Sequence, residues 1–328
     1  MRRARVKVSG EAYYHVMSRC ALQKYLLRDP EVKEMFMKIL RRAERFSGVE
    51  IANYCVMDNH FHLLVKVPKR QEIDDEELDR RIQTLYGPDK SGRIFQRWKS
   101  LREAGSTSVE DKERAAFRRR MYDISEFVKT FKQRFSLWYC SNIDDVEGTI
   151  WQGVFHSVLV EGSHDALGAI SAYISLNPVR AHIVDDAAEY PWSGYGAACG
   201  GDRRAKSALL SIYFGRAGAE EKWRAYVSRL EVRVAEAEAG DTGVQAGGEG
   251  EKGRPGDQGA NAKVPRIRLD EMRRKDRDIS RGIAFGSKGY VMARIGEYCP
   301  PGKTRTKPRR FGIGERHTTL YCAGRYSA

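Results

Sequence analysis

The stretch MDNHFHLLVKV, residues 57–67, reads as a tight turn running into a β-strand that carries two histidines. Asp58-Asn59 is turn chemistry, and the β-branched and apolar side chains that follow it suit a strand from His60 to Val67. Side chains alternate across a strand, so His60 and His62 project from one face while Phe61 enters the opposite layer. Two imidazoles at this spacing can share a divalent cation. The competing reading is one satisfied core histidine and one facing water. Residues 49–57 (VEIANYCVM) form a strand just upstream, which makes a hairpin with Asp58-Asn59 at its tip.

Working outward, residues 13–20 (YYHVMSRC) alternate as another strand. Asp29-Pro30 is a helix start, with an N-cap and then proline at the first position. The spacing of Val32, Met35, Phe36, Ile39 and Leu40 carries that helix to Ser47-Gly48. Beyond the hairpin, an insertion of about residues 69–107 holds a polar helix over 75–86. Ser108 and Asp111 make a capping-box-like start. From there one long helical pattern runs through Ile124, Phe127, Val128, Phe131, Phe135 and Trp138.

Residues 149–160 (TIWQGVFHSVLV) read as a fourth strand. Ser163 caps a short helix that must stop at Asn177, because Pro178 follows. The order strand, helix, hairpin, helix, strand, helix predicts an α+β fold of the split-βαβ type, an antiparallel sheet with helices packed on one side of it. On the last helix Tyr173 and Asn177 stand four residues apart and share a face. A carboxamide oxygen is an acceptable ligand for a hard cation, and the phenol one turn away would sit near the same ion. Equally, the tyrosine could pack in the core and the asparagine cap the helix end.

The chain has 328 residues, with 58 Lys and Arg against 44 Asp and Glu, a net charge of +14. The charge is uneven: +7 over residues 1–230, −4 over 231–262 and +11 over 263–328. The middle piece holds eight glycines in 32 residues and has almost nothing to bury, so it reads as a flexible acidic linker. This divides the chain into a main domain over 1–200, a helical extension over 201–230, the linker and a basic tail over 263–328. Five Trp, 16 Tyr and 12 Phe exclude disorder throughout, and no apolar run is long enough to span a membrane. The basic N-terminus lacks the apolar run of a secretory signal. Six scattered cysteines without a C-x-x-C pair read as reduced cytosolic thiols. The positive balance suggests a polyanionic partner without choosing one.

Three motifs in order, MDNHFHLLV at 57–65, TIWQGVFHSVLVEG at 149–162 and AYISLNPVRAHIV at 172–184, resemble the HUH superfamily of single-strand nucleases. Within it the chain is most similar to the single-tyrosine transposases, in the branch of the REP-associated tyrosine transposases and their longer relatives. FVKTFKQRFSLWY at 127–139, YPWSGY at 190–195 and RGIAFGSKGYV at 281–291 extend the likeness over nearly the whole chain except the linker. Asp58 departs from the family pattern, which often has proline before the asparagine of the hairpin tip.

The resemblance implies a ferredoxin-like HUH nuclease core with a linker and a basic C-terminal extension. It implies His60, His62 and Asn177 as ligands of Mg²⁺ or Mn²⁺, and Tyr173 as the nucleophile. The activity it implies is cleavage and transfer of single-stranded or hairpin DNA through a 5′-phosphotyrosine, by a homodimer or a monomer in the cytoplasm at the nucleoid, with no membrane partner. For DNA contacts, Arg19 and Arg180 flank the proposed site at element ends. Lys132 and Arg134 interleave with Phe127, Phe131 and Phe135, as a backbone grip or as a solvated helix face. Trp151-Gln152 would stack on an unpaired base and bond its edge, against a core tryptophan as the alternative. His15, His156, His164, His182 and His317 default to structural or surface roles. Two rivals remain: a domesticated protein that binds REP-like repeats with little turnover, and a metallophosphoesterase that uses water.

Overall fold

The computed structural model describes residues 7–143, 149–212, 218–219, 221–228, 230, 282–298, 308–313 and 319–323. Strand β1 (Ala12–Arg19) leads to helix α1 (Pro30–Ser47), and then to the hairpin of β2 (Glu50–Val56) and β3 (His60–Val67). Strand β1 lies between β3 and the later β4 (His156–Val160), antiparallel to both. Four strands in the order β2-β3-β1-β4, with β3 inserted between β1 and β2, are the split-βαβ core. The α+β fold class read from the sequence is the observed one.

Helix α1 starts and stops where its sequence demands. The Asp29 carboxylate accepts from the Glu31 N–H at 2.7 Å, Pro30 takes the first turn, and Gly48 closes the helix at φ 70°. A Cβ on Gly48 would lie 2.7 Å from both Arg81 and Tyr122, so glycine here also admits the close approach of the inserted helices. Those helices are α2 (Asp75–Tyr86), α3 (Pro88–Glu103) and α4 (Thr107–Arg118). Trp98 sits among them beneath the Arg114 guanidinium, which is 4.1 Å from its ring and also bonds Glu110 and Asp79.

The long helix expected from Ser108 to Trp138 is two helices. The chain turns after α4, with Tyr122 at φ 55°, and α5 (Ile124–Asn142) begins afresh. Asp123, not Ser108, is the cap, accepting from the N–H groups of Ser125 and Glu126. The expected strand over 149–160 is also shorter. Only His156–Val160 is strand, because Gly153 at φ 70° turns the chain and Trp151 makes one isolated bridge to Cys20.

Helices cover both faces of the sheet, not one. Phe61, Leu63, Val65 and Val16 meet α1 and α5 on one face. Leu64, Val158 and Val160 meet α6 (His164–Ser175), α8 (Gly194–Cys199) and α9 (Arg203–Leu210) on the other. The helical turns at 221–228 add Tyr226 to the second layer.

The expected linker, 231–262, lies outside the described residues. Past it, β5 (Ala284–Gly286) runs parallel to β4, followed by α10 (Lys288–Tyr298), β6 (Arg309–Ile313) and β7 (Thr319–Ala323). These strands enlarge the sheet to seven, ordered β2-β3-β1-β4-β5-β7-β6. Phe285, Leu320 and Cys322 join the same core as α6. Part of the basic tail is therefore built into the fold. Cys20, Cys55, Cys140, Cys199 and Cys322 are free thiols, and among the described residues no helix is long and apolar enough to cross a membrane.

Candidate active site

Strand register assembles one face of the site. Arg19 lies opposite His60, Met17 opposite His62, and Met17 in turn opposite His156 on β4. Cross-strand partners share a face, so His60, His62, Arg19, His15 and His156 all face the layer of α6. The hairpin tip that delivers His60 is held from α1. The Lys33 ammonium, almost fully buried, donates to Asp58 at 2.6 Å and to the Arg28 carbonyl at 3.1 Å. Asp58 thus does by ion pairing what a proline would do by ring closure.

Both imidazoles have their Nδ1 engaged. His60 Nδ1 is 2.7 Å from Asn59 Oδ1, an acceptor, and so carries a proton. His62, 3 % exposed, has its Nδ1 2.9 Å from Nε2 of His15. Burial, reinforced by the nearby His60, His15, Arg180 and Arg19, holds the His62 imidazole well below its ordinary pKa and keeps it neutral.

Helix α6 brings Tyr173 to this face. Ser163 Oγ caps its start by accepting from the Ala166 N–H. Its rotation is fixed from behind: Asn53 on β2 donates to Ser171 O at 2.9 Å and to Ser175 Oγ at 3.1 Å, and Ser175 Oγ is 2.7 Å from the Tyr226 hydroxyl. With Ser171 and Ser175 clamped, the Tyr173 ring stands edge-on to His62 and to His15, 5.8 Å between centroids in each case. The Arg180 guanidinium lies over that ring at 4.8 Å. Asn177 opens the single turn α7 (Asn177–Arg180), and its Nδ2 donates to Tyr173 O at 2.9 Å. With its nitrogen bound to the helix, the carboxamide has Oδ1 for a ligand.

The structure thus brings together His60, His62, Tyr173 and Arg180, with Asn177 one turn beyond the tyrosine. Among the described residues no three His, Cys, Asp or Glu are clustered to hold a metal. A cation here would take two imidazoles and a carboxamide, and the neutral His62 and the nitrogen-anchored Asn177 fit that role. Arg19 belongs to the same face, with a buried Nε that has no hydrogen-bond partner. Gln152 is exposed beside it, its N–H donating to the Arg19 carbonyl at 2.8 Å.

Three expected nucleic-acid contacts fall elsewhere. Trp151 is 4 % exposed, packed edge-on against Phe61 and donating its indole N–H to Ser136, so no base can stack on it. Lys132, 8 % exposed, is on the face away from the site, donating to Ser18 and to the Gly153 carbonyl. Arg134 lies against the Tyr86 ring at 4.8 Å, where α5 meets the inserted helices. The sequence reading missed His15, the Asn53–Tyr226 clamp and Lys33. Of these only His15 left a signal, because strand alternation in YYHV puts it on the same face as Met17.

Residues 8–104 match the family model described as "Transposase IS200 like". No curated protein matches the chain significantly. Among solved structures, a REP-associated tyrosine transposase bound to a REP hairpin is similar at 16 % identity and a TM-score of 0.38, covering 66 % of this chain and 91 % of its own. A Deinococcus radiodurans protein described as a candidate transposase is 16 % identical with a TM-score of 0.25, covering 56 % of this chain and 92 % of its own.

Proposed function

We propose that this chain, whose residues 8–104 match the IS200-like transposase family model, is a transposase that cuts and rejoins single-stranded or hairpin DNA with Tyr173 as nucleophile. The observation that carries this reading is the Tyr173 phenol ring standing against His62 and beneath Arg180, on a helix clamped to the strand face that carries both histidines. A water-using phosphoesterase would leave that placement without a purpose.

In the proposed reaction the Tyr173 oxygen attacks the phosphorus of a DNA phosphodiester. The phenol proton leaves to solvent, the bond from phosphorus to the 3′-oxygen breaks, and that oxygen takes up a proton to become a 3′-hydroxyl. The other strand end stays linked through its 5′-phosphate to the tyrosine. Attack by a second 3′-hydroxyl reverses the steps and joins a new strand. A phenol has an ordinary pKa of about 10, so its ionisation needs positive charge nearby, and Arg180 supplies a fixed cation at the ring. Arg19, on the same face and with a buried Nε that has no hydrogen-bond partner, would take a phosphate oxygen. A divalent cation held by His60, His62 and Asn177 would supply Lewis-acid stabilisation of the phosphate charge.

The test is incubation of the full chain with a labelled hairpin-bearing single strand and Mg²⁺ or Mn²⁺, followed by denaturing electrophoresis. The expected result is a DNA–protein adduct with the wild type and none with Tyr173→Phe, which still binds the strand. Absence of adduct across several metals and candidate DNA ends would overturn the catalytic reading and favour a domesticated repeat-binding protein.

A further inference from the structure

We infer that His15 is a positioning residue of this site: it accepts a hydrogen bond from Nδ1–H of His62, and so turns Nε2 of His62 toward the cation. The inference rests on the reading of His62 as a metal ligand. His15 is 1 % exposed on β1, and its Nε2 is 2.9 Å from His62 Nδ1. The two rings are nearly parallel, with centroids 5.1 Å apart.

The arithmetic of ring nitrogens assigns the proton. An imidazole that holds a cation brings a lone pair to it, and a neutral imidazole has one lone pair and one N–H. His62 Nδ1 faces another imidazole at hydrogen-bond distance, so it is closed to a metal and Nε2 is the ligating atom. The proton of His62 is then on Nδ1, and the acceptor must be Nε2 of His15. His60 follows the same pattern with a different partner, since its Nδ1 meets the carboxamide oxygen of Asn59. Outer partners of this kind fix the tautomer and the swing of a ligating ring, and their loss typically lowers metal affinity by about 10- to 100-fold. His15 also packs edge-on against Tyr173, so the same ring that orients the ligand braces the nucleophile.

The experiment uses the full chain with ¹⁵N-labelled histidine, read in two ways. Imidazole nitrogen shifts in the metal-free protein report the tautomer of His62, assigned by comparison with His62→Gln. Free Mn²⁺ measured by electron paramagnetic resonance reports affinity. The wild type is expected to carry the His62 proton on Nδ1. His15→Phe keeps the ring but loses the acceptor; it is expected to mix the tautomers and weaken Mn²⁺ binding about 10- to 100-fold. His15→Gln restores an acceptor at similar reach and is expected to bind within about threefold of the wild type. A His62 proton on Nε2 in the wild type, or His15→Phe binding Mn²⁺ as tightly as the wild type, overturns the inference. A wild type with the Nδ1–H tautomer that binds no Mn²⁺ upholds the hydrogen bond and overturns the metal reading instead. Should His15→Phe fail to fold, the wild-type tautomer and the His15→Gln affinity decide.

Discussion

His62 is buried beside two other imidazoles and within reach of two arginines, and each of these disfavours its charged form. The consequence for the metal-free protein has a definite sign. Below the ordinary histidine pKa of about 6.5 the unfolded chain takes up a proton at this residue, while the folded chain does not. Stability from this group is therefore complete above that pH and falls as the pH drops toward the depressed folded value, by at most about 1.4 kcal/mol per pH unit. Urea unfolding of metal-free protein at pH 7.5 and 5.5 is expected to show the wild type losing about 1 kcal/mol more than His62→Gln; equal losses would mean that His62 is not held neutral. At this scale the sequence was informative wherever periodicity alone sets direction. Alternation put His60 and His62 on one face, and helical spacing put Tyr173 and Asn177 one turn apart. His15 was hidden because its partner is 47 residues away, and only the register of β1 on β3 places the two rings side by side.

The elements show where local signals hold and where they fail. Asp29-Pro30 and Gly48 bound α1 as read, because a cap and a stop act within one turn. The apolar spacing from Ser108 to Trp138 continues through a reversal, since α4 and α5 both pack residues against the same core and periodicity does not register a change of axis. Trp151 and Lys132 failed for another reason: an aromatic beside a base-bonding side chain, or a lysine between phenylalanines, looks the same on a pillar as on a binding face. The Lys132 ammonium is 5.1 Å from the Trp151 ring, and its bonds to Ser18 and Gly153 tie α5 to β1 and to the turn before β4. Trp151→Ala is therefore expected to cost about 3–5 kcal/mol of stability, measured by denaturant unfolding, while DNA affinity per folded molecule stays unchanged. A loss of affinity in a variant of undiminished stability would restore the stacking role.

For the whole molecule, the C-terminal residues change meaning once they are placed. A charge of +11 over 263–328 suggested an arm that grips phosphates, and family-like RGIAFGSKGYV hinted that some of it folds. In the structure the N–H groups of Leu159 on β4 and of Glu161 just past its end donate to the carbonyls of Ile283 and Phe285, and the Glu161 carboxylate receives the Ser287 N–H at 2.6 Å and its hydroxyl at 3.0 Å. Phe285, Leu320 and Cys322 then fill the layer that also holds α6, the helix of Tyr173. Composition could not reveal this, because the buried residues are few and scattered among charges, and the pairing with β4 joins segments more than 120 residues apart. The two pictures differ in what truncation does. An appended arm, when removed, leaves stability alone and lowers DNA affinity together with its dependence on salt. A built-in strand, when removed, bares the edge of β4 and several apolar side chains worth about 1.5–3 kcal/mol each. Ending the chain after residue 281 is expected to lower the thermal midpoint by about 10 °C and to promote association through β4, read by calorimetry and light scattering. An unchanged midpoint with a shallower salt dependence of DNA binding would show that the tail is an arm after all, and that the site on α6 stands without it.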